Sequence, residues 1–185
     1  MPTPRRNFED FHFYHIYNRG NHREAVYHDA RDYEKFLWML RDAAAEHSVT
    51  VAAYCLMPNH FHLLLRQDGR GSIQKCMTSL ALGYVKYYNK HYGQVGHIFQ
   101  GRYRDRYVRD NADLMNLSRY IHLNPVGIRG IDEYEWSSYR AYLGEPNRFC
   151  DPSAVMRLTD IGPHNYAIFC NSRKNSELPG GQATE

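Results

Sequence analysis

Tyr54-Cys55-Leu56-Met57-Pro58-Asn59-His60-Phe61-His62-Leu63-Leu64-Leu65 is the stretch on which the fold of this chain turns. Met57-Pro58-Asn59 is a turn signal between two apolar runs. Before it, residues 49–56 have the β-branched and aromatic content of a strand. After it, residues 60–66 read as the second arm of a hairpin. Side chains at i and i+2 of a strand share a face. His60 and His62 therefore stand side by side, with Leu64 and Arg66 farther along. Phe61, Leu63 and Leu65 point the other way, into a core. Two imidazoles fixed on a rigid strand make half of a metal site. His-x-His pairs are also common where nothing is bound, so this one needs a third ligand and a chemical partner.

Working outward, residues 11–18 form a short aromatic strand that Gly20 breaks. Asp29 is an N-cap for a helix running to about residue 46, with Tyr33, Phe36, Leu37, Leu40 and Ala44 as its apolar stripe. Asp68-Gly69-Arg70-Gly71 is a loop. Ser72 caps a second helix with buried positions Ile73, Cys76, Met77, Leu80, Tyr84 and Tyr88, and Gly93 stops it. Residues 103–109 read as a fourth strand. Asn111 is expected to cap a third helix, residues 112 to about 124, which Pro125 and Gly127 end. The order predicts an α+β fold: a ferredoxin-like βαββαβ antiparallel sheet followed by a further helix. Beyond residue 130 the aromatic segment 134–139 should pack back on the domain, and residues 163–171 suit one more short helix. The polar, Gly-rich residues 172–185 read as disordered. One domain over residues 1–145 with a partly disordered extension over 146–185 is the expected organisation.

Composition narrows the class. A chain of 185 residues, 43% hydrophobic, can bury a sizeable core. It has no apolar run long enough for a membrane span, and residues 1–6 lack the hydrophobic stretch of a signal peptide. Cys55, Cys76, Cys150 and Cys170 are scattered without a C-x-x-C, which reads as reduced thiols in the cytoplasm. Net charge is only +3. Basic residues nevertheless cluster with aromatics in His97-Ile98-Phe99-Gln100-Gly101-Arg102-Tyr103-Arg104-Asp105-Arg106-Tyr107-Val108-Arg109. Arginines interleaved with aromatics suit a surface that tracks a phosphate backbone and stacks bases. Arg102, Arg104 and Arg106 are expected on one face of the fourth strand. The bland reading is a solvated face with ion pairs to acids such as Asp105.

The third helix carries Ser118-Arg119-Tyr120-Ile121-His122-Leu123-Asn124-Pro125. Tyr120 and Asn124 are one turn apart on one face. Leu114, Leu117 and Ile121 form the apolar stripe. At ~100° per residue, Tyr120 and Asn124 fall at the border between packed and open surface. A border tyrosine that merely packs its ring has the same pattern, so spacing alone does not select Tyr120 among 16 tyrosines.

Taken together, these motifs carry a resemblance. His60-Phe61-His62 after Met-Pro-Asn resembles the histidine–hydrophobe–histidine (HUH) motif of single-tyrosine transposases. Tyr120 through Asn124 resembles that family's nucleophile segment, a tyrosine followed four residues later by Gln or Asn. Residues 96–103 and Trp136-Ser137-Ser138-Tyr139 resemble the branch called REP-associated tyrosine transposases. The likeness spans residues 13–143, and four motifs in order are far more specific than any one. Asn124 stands where many members outside the branch have Gln; either amide offers an oxygen.

The resemblance implies a catalytic domain that nicks and rejoins single-stranded DNA beside a REP-like hairpin. Tyr120 is then the nucleophile, forming a 5′-phosphotyrosine and freeing a 3′-OH. His60, His62 and the Asn124 amide hold Mg2+ or Mn2+, although the residues alone would also admit Zn2+. Arg19, His97, Gln100, Arg102, Arg104 and Arg106 line the DNA path. The protein is expected in the cytoplasm, associated with the nucleoid, as a monomer or a homodimer, with Tyr120 acting in cis or in trans. Two other readings stand beside this one: a catalytically silent nucleic-acid-binding module of the same fold, and a structural zinc protein.

Overall fold

A computed structural model describes residues 7–172. The elements are β1 (Phe13–Arg19), α1 (Ala30–Glu46), β2 (Val49–Met57), β3 (His60–Gln67), α2 (Ile73–Tyr92), β4 (Arg104–Tyr107), α3 (Asn111–Leu123), α4 (Tyr139–Tyr142), α5 (Ser153–Thr159) and α6 (Pro163–Asn171). The four strands form one antiparallel sheet in the order β2-β3-β1-β4. That is the ferredoxin-like arrangement expected from the sequence. The disorder expected beyond residue 172 lies outside the described residues.

Local signals set most element ends. Asp29 caps α1, its Oδ1 accepting from the Arg31 and Asp32 amides at 2.9 and 3.3 Å. The Ser72 hydroxyl accepts from the Lys75 amide at 3.2 Å, and Gly93 ends α2 in the left-handed region. The β2–β3 hairpin closes through Pro58 and Asn59, with Met57 opposite His60. Two expectations need correction. Asp110, not Asn111, caps α3 by accepting from the Asp113 amide at 2.8 Å; Asn111 is the first helical residue and donates to the Leu158 carbonyl. The fourth strand is also shorter than residues 103–109. Beyond Tyr17 the β1 backbone turns to another partner, with the Gln100 amide donating to the Arg19 carbonyl at 2.8 Å, and Gly101 in the left-handed region takes the chain into a loop. Arg102 thus falls outside the strand and does not share a face with Arg104 and Arg106.

Both faces of the sheet are covered, by different means. On one face α1 and α2 pack on Tyr14, Ile16, Tyr54, Leu56, Phe61, Leu63 and Leu65. Buried Asp32 ties these two helices together, accepting from the Tyr87 and Tyr92 hydroxyls. Tyr88 of α2 is only half-buried, because its hydroxyl reaches the surface residue His28. On the other face Phe13, Ala52, Ala53, Cys55 and Leu64 meet Leu114, Leu117 and Ile121 of α3 and Ala154, Val155, Tyr166 and Cys170 of α5 and α6. The helices of residues 153–171 are therefore part of this layer.

The free edge of β2 is closed by residues 136–138. The Leu56 amide donates to the Trp136 carbonyl, the Ser138 amide to the Tyr54 carbonyl, and the Tyr54 amide to the Ser138 hydroxyl. Backbone groups that would otherwise template edge pairing are satisfied within the chain. Trp136 stacks on Tyr33 at 4.5 Å, so this aromatic segment does pack back on the domain. All four cysteines are free, and no described helix is long and apolar enough to cross a membrane.

Candidate active site on the second sheet face

The second face is apolar at one end and polar at the other. Register explains the change. One cross-strand row runs Ala53, Leu64, His15, Arg106; the next runs Cys55, His62, Tyr17, Arg104; the last runs Met57, His60, Arg19. The first row starts under α3 and its apolar stripe. The last two carry the imidazoles beyond that stripe, where the end of α3 presents Tyr120 and Asn124.

The structure brings His60, His62, Tyr120 and Asn124 together. The Tyr120 ring stands edge-on to His62 at 5.4 Å between centroids and edge-on to His15 at 5.9 Å. His60 and His62 are 5.1 Å apart, nearly perpendicular. Asn124 caps the end of α3, and its Nδ2 donates back to the Tyr120 carbonyl at 2.9 Å. That bond turns the amide oxygen away from the helix, toward His60.

Each imidazole has one nitrogen occupied. His60 Nδ1 lies 2.8 Å from the Asn59 carboxamide oxygen, and His62 Nδ1 lies 2.9 Å from His15 Nε2. Among the described residues no side chain bonds His62 Nε2, while His60 also meets the Asn124 amide. Burial lowers the pKa of His60; hydrogen bonding to Asn124 opposes this, and the Arg19 charge adds to the lowering. Burial also pushes His62 well below its ordinary value, helped by His15 and His60. Both rings are thus neutral at pH 7, the form that ligates metals. The Asn124 amide and an imidazole nitrogen of His60 thus lie near one another, an arrangement that a cation between them would suit. The donor set fits a divalent ion with open positions. Among the described residues no three His, Cys, Asp or Glu side chains are grouped to hold a metal, and the amide beside the two imidazoles is that of Asn124. That is a poor start for a closed structural zinc site.

The remaining residues divide by position. Arg19 is beside His60, and its guanidinium donates to Gln100 Oε1 at 3.2 and 3.3 Å. Arg104 is exposed at the sheet edge, in the same row as His62. His97, Gln100 and Arg102 are exposed on the loop before β4. Arg106 differs. Its fork is bonded to buried Asp113 at 2.8–3.1 Å, which pins β4 to α3. The sequence pointed to Asp105 as an ion-pair partner for these arginines; for Arg106 the acid is Asp113. Three residues that the sequence reading passed over also belong to the site. His15 and Tyr17 stack on one another at 4.7 Å beside His62, and Asn59 holds His60.

Burial raises the Tyr120 pKa, and the neighbouring Tyr17 and Cys55 add to the shift. The phenol is therefore a reluctant nucleophile until positive charge is brought to it.

Comparison with known proteins follows this geometry. The sequence pattern of the family described as "Transposase IS200 like" matches residues 10–124. Among solved structures, a REP-associated tyrosine transposase bound to a REP hairpin superposes with a TM-score of 0.63 at 16% identity, over 82% of this chain and 92% of that one. A Deinococcus radiodurans R1 protein, provisionally described as a transposase, gives a TM-score of 0.43 at 16% identity over 60% of this chain and 89% of its own. No curated protein matches the chain.

Proposed function

The chain belongs to the IS200-like transposase family, and from that premise we propose that it is a single-strand-specific DNA endonuclease and strand transferase with Tyr120 as nucleophile. One observation carries the reading: Tyr120, the only tyrosine of α3, is edge-on to His62 at 5.4 Å, with Asn124 one turn along the helix and His60 5.1 Å from His62. The Tyr120 oxygen attacks the scissile phosphorus, the bond to the 3′ oxygen breaks, and a 5′-phosphotyrosine and a 3′-OH result. The phenolic proton is lost as the departing 3′ oxygen gains one. The covalent bond conserves the phosphodiester energy, so a 3′-OH can later rejoin the strand without ATP.

His60, His62 and the Asn124 oxygen would hold the divalent cation, Mg2+ or Mn2+. Bound there, such an ion would supply positive charge to a phosphate oxygen and would favour ionisation of the phenol. Arg19, oriented by Gln100, approaches the same phosphate from the β1 side. Because Tyr120 meets His62 of its own chain, this reading takes the nucleophile to act in cis. A DNA hairpin beside the cleaved strand is the proposed recognition element; a hairpin is what the superposed REP-associated protein binds. The catalytic part is proposed to lie within residues 1–145.

Trapping tests the proposal. Labelled single-stranded DNA carrying a hairpin is incubated with the protein and Mg2+ or Mn2+, and a label that migrates with denatured protein marks the covalent intermediate. EDTA is expected to abolish the adduct while shifting the melting temperature by less than about 3 °C, since β3 is held by Phe61, Leu63 and Leu65. Unfolding by EDTA would point to structural zinc instead. Hairpin binding without any adduct would point to the silent module.

The arginines should separate in salt titrations. Arg102→Ala and Arg104→Ala are each expected to reduce the slope of log K against log salt by ~0.7, one single-strand phosphate contact. Arg106→Ala should instead lower stability by about 2 kcal/mol in urea unfolding, because it strands Asp113. Unchanged slopes for both Arg102→Ala and Arg104→Ala would remove this edge from the DNA path.

A further inference from the structure

We infer that Asn59 and His15 are a matched pair of positioning residues that fix His60 and His62 in the tautomer with a bare Nε2. The inference rests on the metal reading proposed above and names what prepares the ligands.

Consider His60 first. Asn59 Nδ2 donates to the Arg23 carbonyl at 2.9 Å, which sets the orientation of its carboxamide. The oxygen is then the atom 2.8 Å from His60 Nδ1, and an amide oxygen can only accept. Of the two amides that act on His60, Asn59 is the one whose oxygen lies at hydrogen-bond distance, which places the proton of neutral His60 on Nδ1 in this inference. Asn59 itself is fixed, because its carbonyl accepts from the Gly20 amide at 2.7 Å and the Pro58 carbonyl from the Val26 amide at 2.8 Å. A side chain at Gly20 would collide with the Glu24 carbonyl, so close approach of this segment to the hairpin requires glycine there.

His62 poses the same question with a less obvious partner. Its Nδ1 and His15 Nε2 are 2.9 Å apart, so one donates and the other accepts. If His15 donated, the His62 proton would move to Nε2 and block the nitrogen a metal would need. If His62 donates, Nε2 is bare and the two histidines match. His15 is well placed to accept. It is 7% exposed, with its ring nearly parallel to His62 at 5.0 Å and to Tyr17 at 4.7 Å. Its cross-strand neighbour Arg106 is locked by Asp113. An outer partner of this kind fixes ring orientation and raises ligand basicity. Here an imidazole takes the place more often filled by a carboxylate, which leaves the negative charge of the site to the DNA.

Two measurements test the pair. Long-range proton–nitrogen spectra of the metal-free, full-length protein at pH 7.5 are expected to show both His60 and His62 as Nδ1–H tautomers; an Nε2–H form of either overturns the inference without any variant needing to fold. Mn2+ uptake is then followed by electron paramagnetic resonance. His15→Leu and Asn59→Ala should each weaken Mn2+ binding ~10–100-fold. His15→Gln, which offers an oxygen near the Nε2 position, should restore most of the loss. Wild-type affinity in both His15→Leu and Asn59→Ala, while His60→Ala and His62→Ala lose the ion, overturns the positioning roles and leaves the metal reading standing. A wild type that takes up no Mn2+ defeats the metal reading and this inference with it.

Discussion

Replacing Tyr120 by Phe is expected to take the covalent protein–DNA adduct below detection while hairpin binding stays within a few-fold of wild type. The substitution removes one oxygen. The edge-on contacts of the ring with His15 and His62 survive, so α3 has no cause to move. The proposed DNA contacts of Arg19 and the loop before β4 are untouched. What is lost is the atom proposed to attack phosphorus, an interaction realised only in the reaction. The control is Tyr17→Phe. Tyr17 is half-exposed in the same cross-strand row as His62 and is the other phenol on this face near the imidazoles. Three of the four tyrosines of α2, Tyr84, Tyr87 and Tyr88, are poorer rivals. Tyr84 donates to the Val26 carbonyl and Tyr87 to Asp32, and Tyr84 and Tyr88 bear on the opposite layer. Adduct formed by Tyr120→Phe and lost in Tyr17→Phe would move the nucleophile from α3 to β1.

The strand and helix order was legible because each element carries a local signal. Period-two alternation in residues 60–66, the Pro-Asn turn and the caps at Asp29 and Ser72 act within a few residues of themselves. Asp110 and Asn111 show where such signals stop. Both are good caps, adjacent in sequence, and the choice falls to Asp110 because Asn111 finds Leu158, some forty residues away, as its partner. Arg106 is a similar case: alternation places it beside Arg104, but only the packing of α3 on the sheet brings Asp113 beneath it. His15 and Tyr17 went unread because β1 is aromatic on both faces. Phe13, His15 and Tyr17 on one side and Tyr14 and Ile16 on the other give no contrast between core and site. The closure of the β2 edge by residues 136–138 and the cover of the second face by residues 153–171 are long-range and leave almost no periodic trace.

That same cover predicts acid lability. His122 of α3 is fully buried, with Nδ1 2.7 Å from the Tyr166 hydroxyl and Nε2 2.8 Å from the Ser138 hydroxyl. It ties α3, which carries the proposed nucleophile, to α6 and to the segment that closes β2. Burial lowers its pKa to about 3, and burial, with the Arg106 charge, does the same for His15. Both are neutral in the fold, whereas in the unfolded chain a histidine titrates near 6.5. Above about pH 7 neither state holds the extra proton, and these residues cost nothing. Below 6.5 the unfolded chain binds protons that the native state refuses, so stability falls as pH falls, through a window from about 6.5 down to about 3. Each histidine costs about 1.4 kcal/mol per pH unit in that window. Between pH 6.5 and 4.5 the two together remove about 5 kcal/mol, on the order of the whole stability of an ordinary domain. His60 and His62 act in the same direction. Urea unfolding of the metal-free protein at intervals from pH 7.5 to 4.5 measures the slope. His122→Gln should start from a lower stability yet lose it more slowly with acid, by about 1.4 kcal/mol less per pH unit. A wild type whose stability is flat across this interval, or a His122→Gln slope equal to wild type, would mean that His122 is not held as a neutral imidazole between α3 and α6.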